Sequence, residues 1–406
     1  MSRIIFVNRF FFPDHSATSQ ILGDLAFALA AEGRDVHVVT SRQSYDAPKV
    51  RLPGEETIRN VHVRRVRTTT FGRATLAGRA ADYLSSYLAM AGAASSLTRT
   101  GDVLVAMTDP PLLSVLGRHV AARRGAKLIN WLQDIYPDVA TATGVPLMNG
   151  LLADGLARTR DRSLRFADAN VVLGTAMAER LRRLDIAPSR IDIIANWADD
   201  EAIVPLPRSD NPLRRAWQLD GKFVVGYSGN LGRTHDVEVL LAAAGRLRER
   251  SDIVFLFIGG GTQFEGLKAR VAKAALDNTV RFFPYQPRDR LPLSLTVPDV
   301  HWVSLRPSLE GLIFPSKLYG IAAAGRPMLA LTALDGEIAG LIARHGCGRA
   351  VAPGDADAVT QAIATFAADM SACEAMGQRA RAMLDAHFRR ATAIARWREL
   401  LDRTMG

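Results

Sequence analysis

The stretch FVVGYSGNLGRTHDVEVLLAAAGRLRERSDIVFLFIGGG, residues 223–261, decides the fold of this chain. Its apolar runs Phe223–Tyr227 and Ile253–Ile258 have the length of buried strands. Between them, residues 237–248 place apolar side chains at helical spacing. A strand, a helix and a second strand in this order indicate two parallel strands joined by a crossover helix, which is the unit of a doubly wound α/β sheet.

The same alternation continues on both sides of this unit. A proline-rich, polar stretch over residues 196–212 interrupts it and marks a domain boundary. We therefore predict two Rossmann-like domains, residues 1–200 and 206–385, and a C-terminal helix over residues 386–406 that packs back on the N-terminal domain. The other predicted strands are Ile4–Asn8, Val36–Thr40, Val103–Met107, Lys127–Trp131, Asn170–Leu173, Val280–Phe283, His301–Leu305, Met328–Leu331 and Arg349–Val351.

Charge and cysteine content narrow the class of protein. The chain has 406 residues, a formal net charge of +10 and two cysteines, Cys347 and Cys373, without metal-ligand spacing. This content argues against a disulfide framework and predicts a reducing, cytoplasmic compartment. The charge suits a nucleic acid or a membrane surface. We expect no nucleic acid partner, because the sequence lacks a recognisable helix-turn-helix or zinc module.

A basic stretch followed by an uncharged one indicates peripheral association with the inner face of the cytoplasmic membrane. Residues 51–80 contain only two acidic residues, and no charge occurs from Tyr83 to Thr98. Basic and apolar surfaces side by side suit anionic lipid. Two alternatives stay open: a buried helix over the uncharged residues and a solvated loop over the basic ones. The arginines of the basic stretch are Arg51, Arg59, Arg64, Arg65, Arg67, Arg73 and Arg79.

Three junctions between a strand and a helix are candidate phosphate sites. A helix N-terminus presents free N–H groups and partial positive charge, which favour anions. In the first junction, residues 12–18, the small side chains at 16–18 let a ligand approach the backbone. The alternative is a turn in which Ser16 or Thr18 caps the helix.

The second junction is residues 227–235, after the first strand of the second domain. Gly229 and Gly232 permit close backbone contact or a positive φ. Arg233 offers a forked donor to a diphosphate, and His235 is a second donor. The turn Gly259–Gly261 follows the neighbouring strand and is predicted to be tight and to lie against a nucleotide.

The third junction, residues 310–327, is the most specific segment of the chain. Pro315 and Ser316 make a good helix start, which places Lys317 in the first turn. A cation there opposes the helix dipole unless an anion fills the same corner. Glu310 precedes the turn, where a carboxylate can accept hydrogen bonds from sugar hydroxyls. The alternatives are a solvated lysine and a solvated glutamate.

Five segments in this order resemble motifs of the retaining glycosyltransferases of family 4, which have the GT-B fold. Among them, the chain looks most like the colanic-acid and O-antigen type, which acts in bacterial exopolysaccharide and lipopolysaccharide assembly. The segments are Phe12-Pro-Asp-His-Ser-Ala-Thr18, Gln133-Asp-Ile-Tyr-Pro137, Ser228-Gly-Asn-Leu-Gly232, Gly259-Gly-Gly261 and Pro315-Ser-Lys-Leu318.

The resemblance implies roles for residues on the two sides of a cleft between the domains. The implied catalytic residues are Asp134, Arg233, Lys317 and Glu310. The implied donor-binding residues are Ser16, Ala17, Thr18, Gly229, Asn230, Arg233, His235, Gly260, Gly261, Glu310, Phe314, Pro315, Ser316, Lys317 and Leu318. The implied acceptor-binding residues are Asp14, His15 and Asp134.

The resemblance also implies the reaction. A hexose-type sugar would pass from a GDP-, UDP- or dTDP-sugar to a saccharide or polyprenyl-diphosphate-linked acceptor, with retention and without a metal or other cofactor. One departure is that many relatives carry a second glutamate where this chain has Gly320. Two alternatives remain: a nucleotide-sugar 2-epimerase of the same fold, and a non-catalytic partner of another transferase.

Overall fold

The computed structural model describes residues 2–44, 51–69, 71, 76–145, 149–232 and 235–406, with only the backbone described for Leu76, Ala77, Arg79 and Ala80. The chain separates into two compact units. Unit 1 comprises Met1–Ala195, Gly311–Phe314 and Ala393–Gly406, and unit 2 comprises Asn196–Glu310 and Pro315–Thr392. Each contains a largely parallel sheet with α-helices between its strands, so the predicted pair of Rossmann-like domains is confirmed.

Unit 1 is built on an eight-stranded sheet. Its strands are β1 (Ile4–Val7), β2 (Val36–Ser41), β3 (Glu55–Ile58), β4 (Val61–Val66), β5 (Val103–Ala106), β6 (Lys127–Trp131), β7 (Ala169–Val172) and β8 (Ile191–Ile193). Their order is β3-β4-β2-β1-β5-β6-β7-β8, and only β3 and β4 are antiparallel. Its first helices are α1 (Ala17–Ala31), α2 (Leu76–Leu97), α3 (Leu113–Arg124), α4 (Asp138–Ala142), α5 (Gly150–Phe166) and α6 (Thr175–Arg182). The central strands β1 and β5 are entirely buried, as expected of parallel strands covered on both faces.

The hairpin β3–β4 occupies part of the basic stretch, so the alternative of a solvated loop is wrong there. Residues 59 and 60 have φ values of 46° and 65°, which fit a two-residue hairpin turn. Two arginines are paired with acidic residues across the hairpin, and this stretch therefore carries less free positive charge than its composition indicated. The pairs are Arg64 with Glu55 and Arg65 with Glu56. Arg73 lies outside the described residues, as does the side chain of Arg79.

Helix α2 contains most of the uncharged segment and has two different faces. Met90 and Ala94 are fully buried on one face, whereas Leu84 and Leu88 are 60% and 68% exposed on the other. The alternative of a buried helix therefore holds for one face only. Among the described residues, no helix combines the length and the apolar character needed to cross a bilayer.

Unit 2 is built on a six-stranded, fully parallel sheet. Its strands are β9 (Phe223–Asn230), β10 (Ile253–Gly260), β11 (Val280–Phe283), β12 (Val300–Ser304), β13 (Met328–Leu331) and β14 (Gly348–Val351), in the order β11-β10-β9-β12-β13-β14. Its helices are α7 (Pro212–Ala216), α8 (Val237–Arg246), α9 (Phe264–Lys273), α10 (Leu291–Leu295), α11 (Lys317–Ala323), α12 (Glu337–His345), α13 (Ala356–Ala368) and α14 (Met370–His387). Tyr227, Phe257 and Trp302 pack together in its core, with ring centroids 5.2–6.3 Å apart.

The last helix, α15 (Arg390–Met405), contributes residues 393 onward to unit 1. Its Trp397 is fully buried and packs on Trp131 of β6, with ring centroids 4.5 Å apart. Ion pairs fix the solvent side of the helix to the rest of the unit. They join Arg398 to Glu32, Asp402 to Arg34 and Arg403 to Asp192.

Replacing Trp397 by alanine should destabilise unit 1 strongly. Removing a large buried aromatic side chain costs about 3–5 kcal/mol of unfolding free energy, because the surrounding residues close the cavity only in part. Denaturant unfolding followed by Trp fluorescence and circular dichroism measures the change. Glu399→Ala, at an exposed position of the same helix, is the matched control. Equal midpoints for the two variants would contradict the role of this packing.

Candidate functional site

The carboxyl ends of β9 and β12 lie side by side in the unit 2 sheet. From β9 the chain passes through α8 to β10 on one side, and from β12 it passes through α11 to β13 on the other. Connections that diverge from neighbouring strands leave a crevice at their carboxyl ends, and doubly wound folds bind ligands there. The second and third candidate junctions both lie at this edge of the sheet.

Three glycines keep the carboxyl ends of β9 and β10 free of side chains. Gly229, Gly259 and Gly261 have φ values of 125°, 136° and 124°, which disfavour any other residue. A Cβ at Gly259 would lie 2.2 Å from the Gly229 carbonyl oxygen, and one at Gly261 would lie 2.4 Å from Asn230 Oδ1. The predicted tight turn at 259–261 is wrong in position, because Gly259 and Gly260 are the last residues of β10 and pair with Gly229 and Asn230 in direct backbone contact. The turn follows at residues 262–263.

The segment after β9 is attached to the turn after β10. Leu231 N donates to the Gly260 carbonyl at 2.7 Å, and the side chain of Gln263 donates to the carbonyls of Gly232 and His235. These hydrogen bonds hold the residues on both sides of Arg233 in place. Arg233 itself lies outside the described residues, so its contact with a diphosphate stays a prediction.

His235 is a buried, neutral side chain. It is 8% exposed, its Nδ1 lies 3.0 Å from Ser304 Oγ at the end of β12, and its ring packs edge-on against Tyr227. Burial, together with the nearby cations Lys317 and Arg306, lowers the pKa of His235 to about 3. His235 is therefore uncharged at neutral pH. Any contact with a phosphate would be a neutral hydrogen bond.

Lys317 is the central cation of this crevice. Its Nζ lies 5.1 Å from the Tyr227 ring centroid, and its side chain passes over Gly229. Burial lowers the pKa of Lys317 to about 8, although the residue retains some solvent contact. No carboxylate among the described residues forms an ion pair with it. A poorly solvated ammonium without a counter-ion favours an anionic ligand, because such a ligand would restore the electrostatic stabilisation lost with water.

Replacing Gly229 by alanine should weaken nucleotide binding through Lys317. The new Cβ would lie 3.0 Å from Lys317 Cε, and an alanine at this φ costs about 1–3 kcal/mol. We expect the Kd for a nucleoside diphosphate, measured by calorimetry, to rise about tenfold, which corresponds to 1.4 kcal/mol. Gly245→Ala in α8 is the control, because its Cβ would meet nothing within 4 Å and it lies away from the strand ends. Unchanged affinity in Gly229→Ala would contradict this placement of the lysine.

The residues around Lys317 differ in what they offer a ligand. Ser316 occupies the N-cap position of α11 without using its side chain as a cap, and Pro315 before it is half-buried. Leu318 is fully buried in unit 2 and Phe314 is 9% exposed in unit 1, so both side chains serve as core. A Cβ at Gly320 would meet Leu295 at 3.4 Å, and the chain has no carboxylate at this point of α11.

Glu310 is not the solvated loop charge of the alternative interpretation. Its Oε1 accepts a hydrogen bond from Glu337 N at the start of α12, at 2.8 Å, while its Oε2 is buried without a partner among the described residues. Burial and the charges of Glu337 and Asp335 raise the pKa of Glu310, against the opposing effect of the Glu337 N–H. One oxygen therefore anchors α12, and a sugar contact through the other stays a prediction.

The turn before α1 in unit 1 is held by Asp14. The carboxylate is 5% exposed and accepts hydrogen bonds from Ser16 N at 2.8 Å and Ser44 Oγ at 3.1 Å. Ser16 is the N-cap residue, but its hydroxyl makes no capping bond, so the alternative in which the Ser16 side chain caps the helix is wrong. His15 and Ala17 are exposed and Thr18 is half-buried. Asp14 organises this turn, and its predicted acceptor contact is untested.

Asp134 follows β6 and lies against residues 311–314, which belong to the same unit. It forms a β-bridge with Ile313, and the next residue, Ile135, donates its N–H to the Leu312 carbonyl at 2.9 Å. Burial, with a smaller contribution from the like charge of Asp109, raises the pKa of Asp134 to about 6. A carboxylate with this pKa changes protonation close to neutral pH and can therefore exchange a proton with a hydroxyl group.

Sequence reasoning missed three residues near these sites. Arg306 lies one residue beyond the predicted strand His301–Leu305 and is close enough to His235 to lower its pKa. Tyr285 is 54% exposed, and its ring carbon would meet a Cβ at Gly260 at 3.0 Å. Asp109 follows β5 and raises the pKa of Asp134. Each lies just beyond the carboxyl end of a strand, and that position was the available signal.

The described residues offer cations rather than metal ligands. No group of three or more His, Cys, Asp or Glu side chains is arranged there as a metal site would need. Lys317 and Arg306 are instead the positive groups at the carboxyl edge of the unit 2 sheet. This edge can hold a diphosphate between a glycine-lined backbone and an ammonium group.

Comparison with known proteins identifies the family. The model of glycosyl transferases group 1 matches residues 210–383, and the glycosyl transferase 4-like domain model matches residues 17–197. WbjE of Pseudomonas aeruginosa, named a probable glycosyltransferase, is 30% identical over 272 residues, 66% of this chain and 67% of that protein. The chain therefore belongs to the glycosyltransferases, and its type is that of family 4 with the GT-B fold.

Two further similarities extend this result. WcaI of Escherichia coli, which carries the name of a colanic acid biosynthesis glycosyl transferase, is 30% identical over 225 residues, 53% of this chain and 54% of that protein. The crystal structure of HepE from Anabaena in complex with UDP has a TM-score of 0.73 and 16% identity, and the match covers 99% of this chain and 100% of HepE. At that identity the likeness to HepE shows the fold alone.

Proposed function

We propose that this glycosyltransferase moves a hexose-type sugar from a nucleotide-diphosphate sugar to a saccharide acceptor carried on a polyprenyl diphosphate. The proposal depends above all on one observation: Lys317 lies over the glycine-lined end of β9 without an ion-pair partner among the described residues. A diphosphate is the anion that this crevice suits, and the sugar nucleotides of GDP, UDP and dTDP all carry one. The complex of HepE with UDP supports a nucleoside diphosphate ligand in this fold.

We further propose retention of anomeric configuration without a metal. The acceptor hydroxyl forms a bond to the anomeric carbon on the face from which the diphosphate leaves, and the leaving phosphate oxygen takes the hydroxyl proton. The negative charge that develops on that oxygen is stabilised by Lys317 and, from its sequence position, by Arg233. Stabilising charge where it appears in the transition state is usually the largest single contribution to catalysis.

Asp134 is the proposed contact for the acceptor sugar. Together with Asp109 it provides carboxylate oxygens that accept hydrogen bonds from sugar hydroxyls. The name of WcaI, a colanic acid biosynthesis glycosyl transferase, supports a place in the biosynthesis of a bacterial polysaccharide. We propose that the enzyme works at the cytoplasmic face of the membrane. Acceptors of such pathways that remain on a lipid carrier would require the enzyme to work at that surface.

A donor and acceptor screen tests the proposal. The purified protein is incubated with GDP-, UDP- and dTDP-hexoses and a polyprenyl-diphosphate sugar, with and without EDTA, and the products are identified by mass spectrometry. The anomeric configuration of the product is then read by NMR. We expect one donor to give an extended acceptor in EDTA. An epimerised donor formed without acceptor would instead support the 2-epimerase alternative, and donor binding without turnover would support a non-catalytic partner.

A further inference from the structure

The surface formed by α2, α3 and α5 contains an apolar groove of about 540 Å³. This volume lies within the range of about 300–1,000 Å³ typical of ligand pockets. Its walls are mostly hydrocarbon, and its polar side chains lie among leucine, valine and alanine. The lining residues on which the assignment depends are Tyr87, Leu88 and Gly92 of α2, Leu112 before α3, Arg123 of α3 and Leu156 of α5.

Apolar surface continues beyond the groove. Leu88 is 68% exposed on α2, one turn from Leu84 at 60%, while Leu151 and Leu152 at the start of α5 are 90% and 54% exposed. Apolar side chains stabilise a structure when they are buried, so four exposed leucines on the helices that form the groove favour an apolar occupant.

The helices that form the groove carry arginines without acidic partners, and one of them, Arg123, lines the groove itself. Helices α3 and α5 contain six arginines that form no ion pair with any described carboxylate. Against them the same helices hold Asp154 and Asp161, and Asp161 is already paired with Arg160. The six are Arg118, Arg123, Arg124, Arg158, Arg162 and Arg165. Arg118 stacks on Phe166, Arg124 donates to Ser95 and Arg165 donates to the Leu184 carbonyl. An apolar groove on a surface with this excess of positive charge complements an anionic lipid surface, which is where a polyprenyl carrier would lie.

One end of the groove adjoins the carboxylates assigned to the acceptor. Leu112 lines both the groove and a small cavity that contains Thr108 and Asp134. Tyr87, also in the groove wall, is near enough to Asp109 for that charge to raise the pKa of its hydroxyl, after the larger effect of burial. All of these residues belong to unit 1. A lipid chain in the groove would therefore end near the residues proposed to hold the acceptor sugar.

We propose that this groove binds part of the hydrocarbon chain of the polyprenyl carrier, with the phosphates at the end of the groove that Leu112 lines, toward Asp134. The inference rests on the proposed function for the identity of the carrier, and it adds a binding site that is separate from the donor crevice. It also accounts for an exposed apolar face on α2, since that face would be covered whenever the lipid is bound.

Gly92→Phe tests the groove directly. Gly92 is exposed, and a Cβ there would meet nothing within 4 Å, so a phenylalanine fits without disturbing the backbone and fills the groove. Replacing a helical glycine also removes its unfavourable helix propensity, so the helix should not be weakened. Gly155→Phe on α5 is the matched control, because its Cβ is equally free and it does not line the groove.

The measurement is binding of a radiolabelled long-chain polyprenyl monophosphate in detergent micelles, with no donor present. We expect the Kd to rise at least tenfold in Gly92→Phe and to stay at the wild-type value in Gly155→Phe. Gly92→Phe should weaken binding of the uncharged polyprenol as strongly as binding of the phosphate, because the substitution acts on the hydrocarbon chain. Circular dichroism melts verify that all variants are folded.

Two results would overturn the assignment. One is equal affinity of wild type and Gly92→Phe for the polyprenyl phosphate. The other is binding of wild type to phosphatidylglycerol vesicles but not to the polyprenyl phosphate, which would identify a general membrane surface instead. Tight polyprenyl phosphate binding that Gly92→Phe abolishes, in a protein that transfers no sugar, would support the groove and refute the proposed function.

Discussion

Lys317→Met is expected to lower sugar transfer about 10²–10³-fold, the loss typical when one preorganised donor to a developing oxyanion is removed. The methionine keeps an unbranched apolar side chain over Gly229 and removes the charge, so the change isolates the ammonium group. Because burial already lowers the pKa of Lys317 to about 8, the wild-type kcat/KM for the donor should fall as the pH rises through 8. The variant should lack this descending limb.

Lys317→Met should lower turnover but increase the stability of the folded protein. When folding lowers the pKa of a base, the charged form is disfavoured in the folded protein. The folded state is therefore destabilised at every pH below the folded-state pKa. At pH 7 Lys317→Met should therefore gain stability, on the order of 1–3 kcal/mol. The control Lys268→Met removes an exposed lysine that lies 2.9 Å from Glu265, and it should change neither turnover nor stability. Wild-type turnover in Lys317→Met would remove the lysine from the mechanism.

Asp134→Asn is expected to lower kcat/KM for the acceptor about tenfold to a hundredfold, because a hydrogen bond from a sugar hydroxyl to an ionised carboxylate contributes about 1.5–3 kcal/mol and the neutral amide accepts a weaker one. With wild-type protein, kcat/KM for the acceptor should rise as the pH increases through about 6, where Asp134 ionises. The asparagine variant should show a flat profile over that range. Asp154→Asn, an exposed carboxylate on α5, is the control. If the variant keeps the inflection near pH 6, the ionisation belongs to another group, such as Asp109.

Asp134→Asn should also change how the free energy of unfolding depends on pH. An acid whose pKa is raised on folding destabilises the folded protein above its unfolded pKa, since ionisation is then harder in the folded state. The pKa of Asp134 moves from 3.8 to about 6, so the cost is complete above pH 6 and disappears below about pH 4. We expect Asp134→Asn to be more stable than wild type by about 1–3 kcal/mol at pH 7 and equal to it at pH 4. Urea unfolding at the two pH values measures the difference.

The central strands could be predicted from the sequence because they are short apolar runs between turn-forming residues. Lys127–Trp131, Val280–Phe283 and Met328–Leu331 were predicted with the bounds they have in the structure. By contrast, β9 and β10 run on to Asn230 and Gly260, past their predicted ends. Glycines normally indicate a turn, but here they continue the ladder because two backbones approach too closely for side chains.

The hairpin β3–β4 could not be predicted because charged residues interrupt the alternation of apolar and polar residues that indicates a strand. Its residues alternate in exposure, but Arg65 occupies a buried position, Glu55 and Arg64 occupy outward ones, and the number of apolar residues is low. The attachment of residues 311–314 to unit 1 had no signal at all, since a bridge between Asp134 and Ile313 depends on a contact between distant parts of the sequence. Hydrophobic periodicity is a local property of the sequence and does not reveal contacts between distant residues.

The candidate site was predictable in its residue types and not in their protonation. Lys317 was singled out because a cation at a helix start needs an anion, and the structure places it over Gly229. His235 was taken for a phosphate donor, but desolvation and two neighbouring cations keep it neutral. Glu310 was predicted to contact the sugar, yet one of its carboxylate oxygens accepts a hydrogen bond from Glu337 N. Both outcomes depend on burial and on neighbours from other strands.

The location of α15 has a consequence during biosynthesis. Unit 1 cannot bury Trp131 until Trp397 has been made, and all of unit 2 is translated between residues 195 and 393. At about 5–20 residues per second, a ribosome needs roughly 10–40 s for that interval. During this time the nascent N-terminal half exposes an apolar face, and it should be a client for chaperones. The later half, in contrast, can complete its own core as it emerges from the exit tunnel.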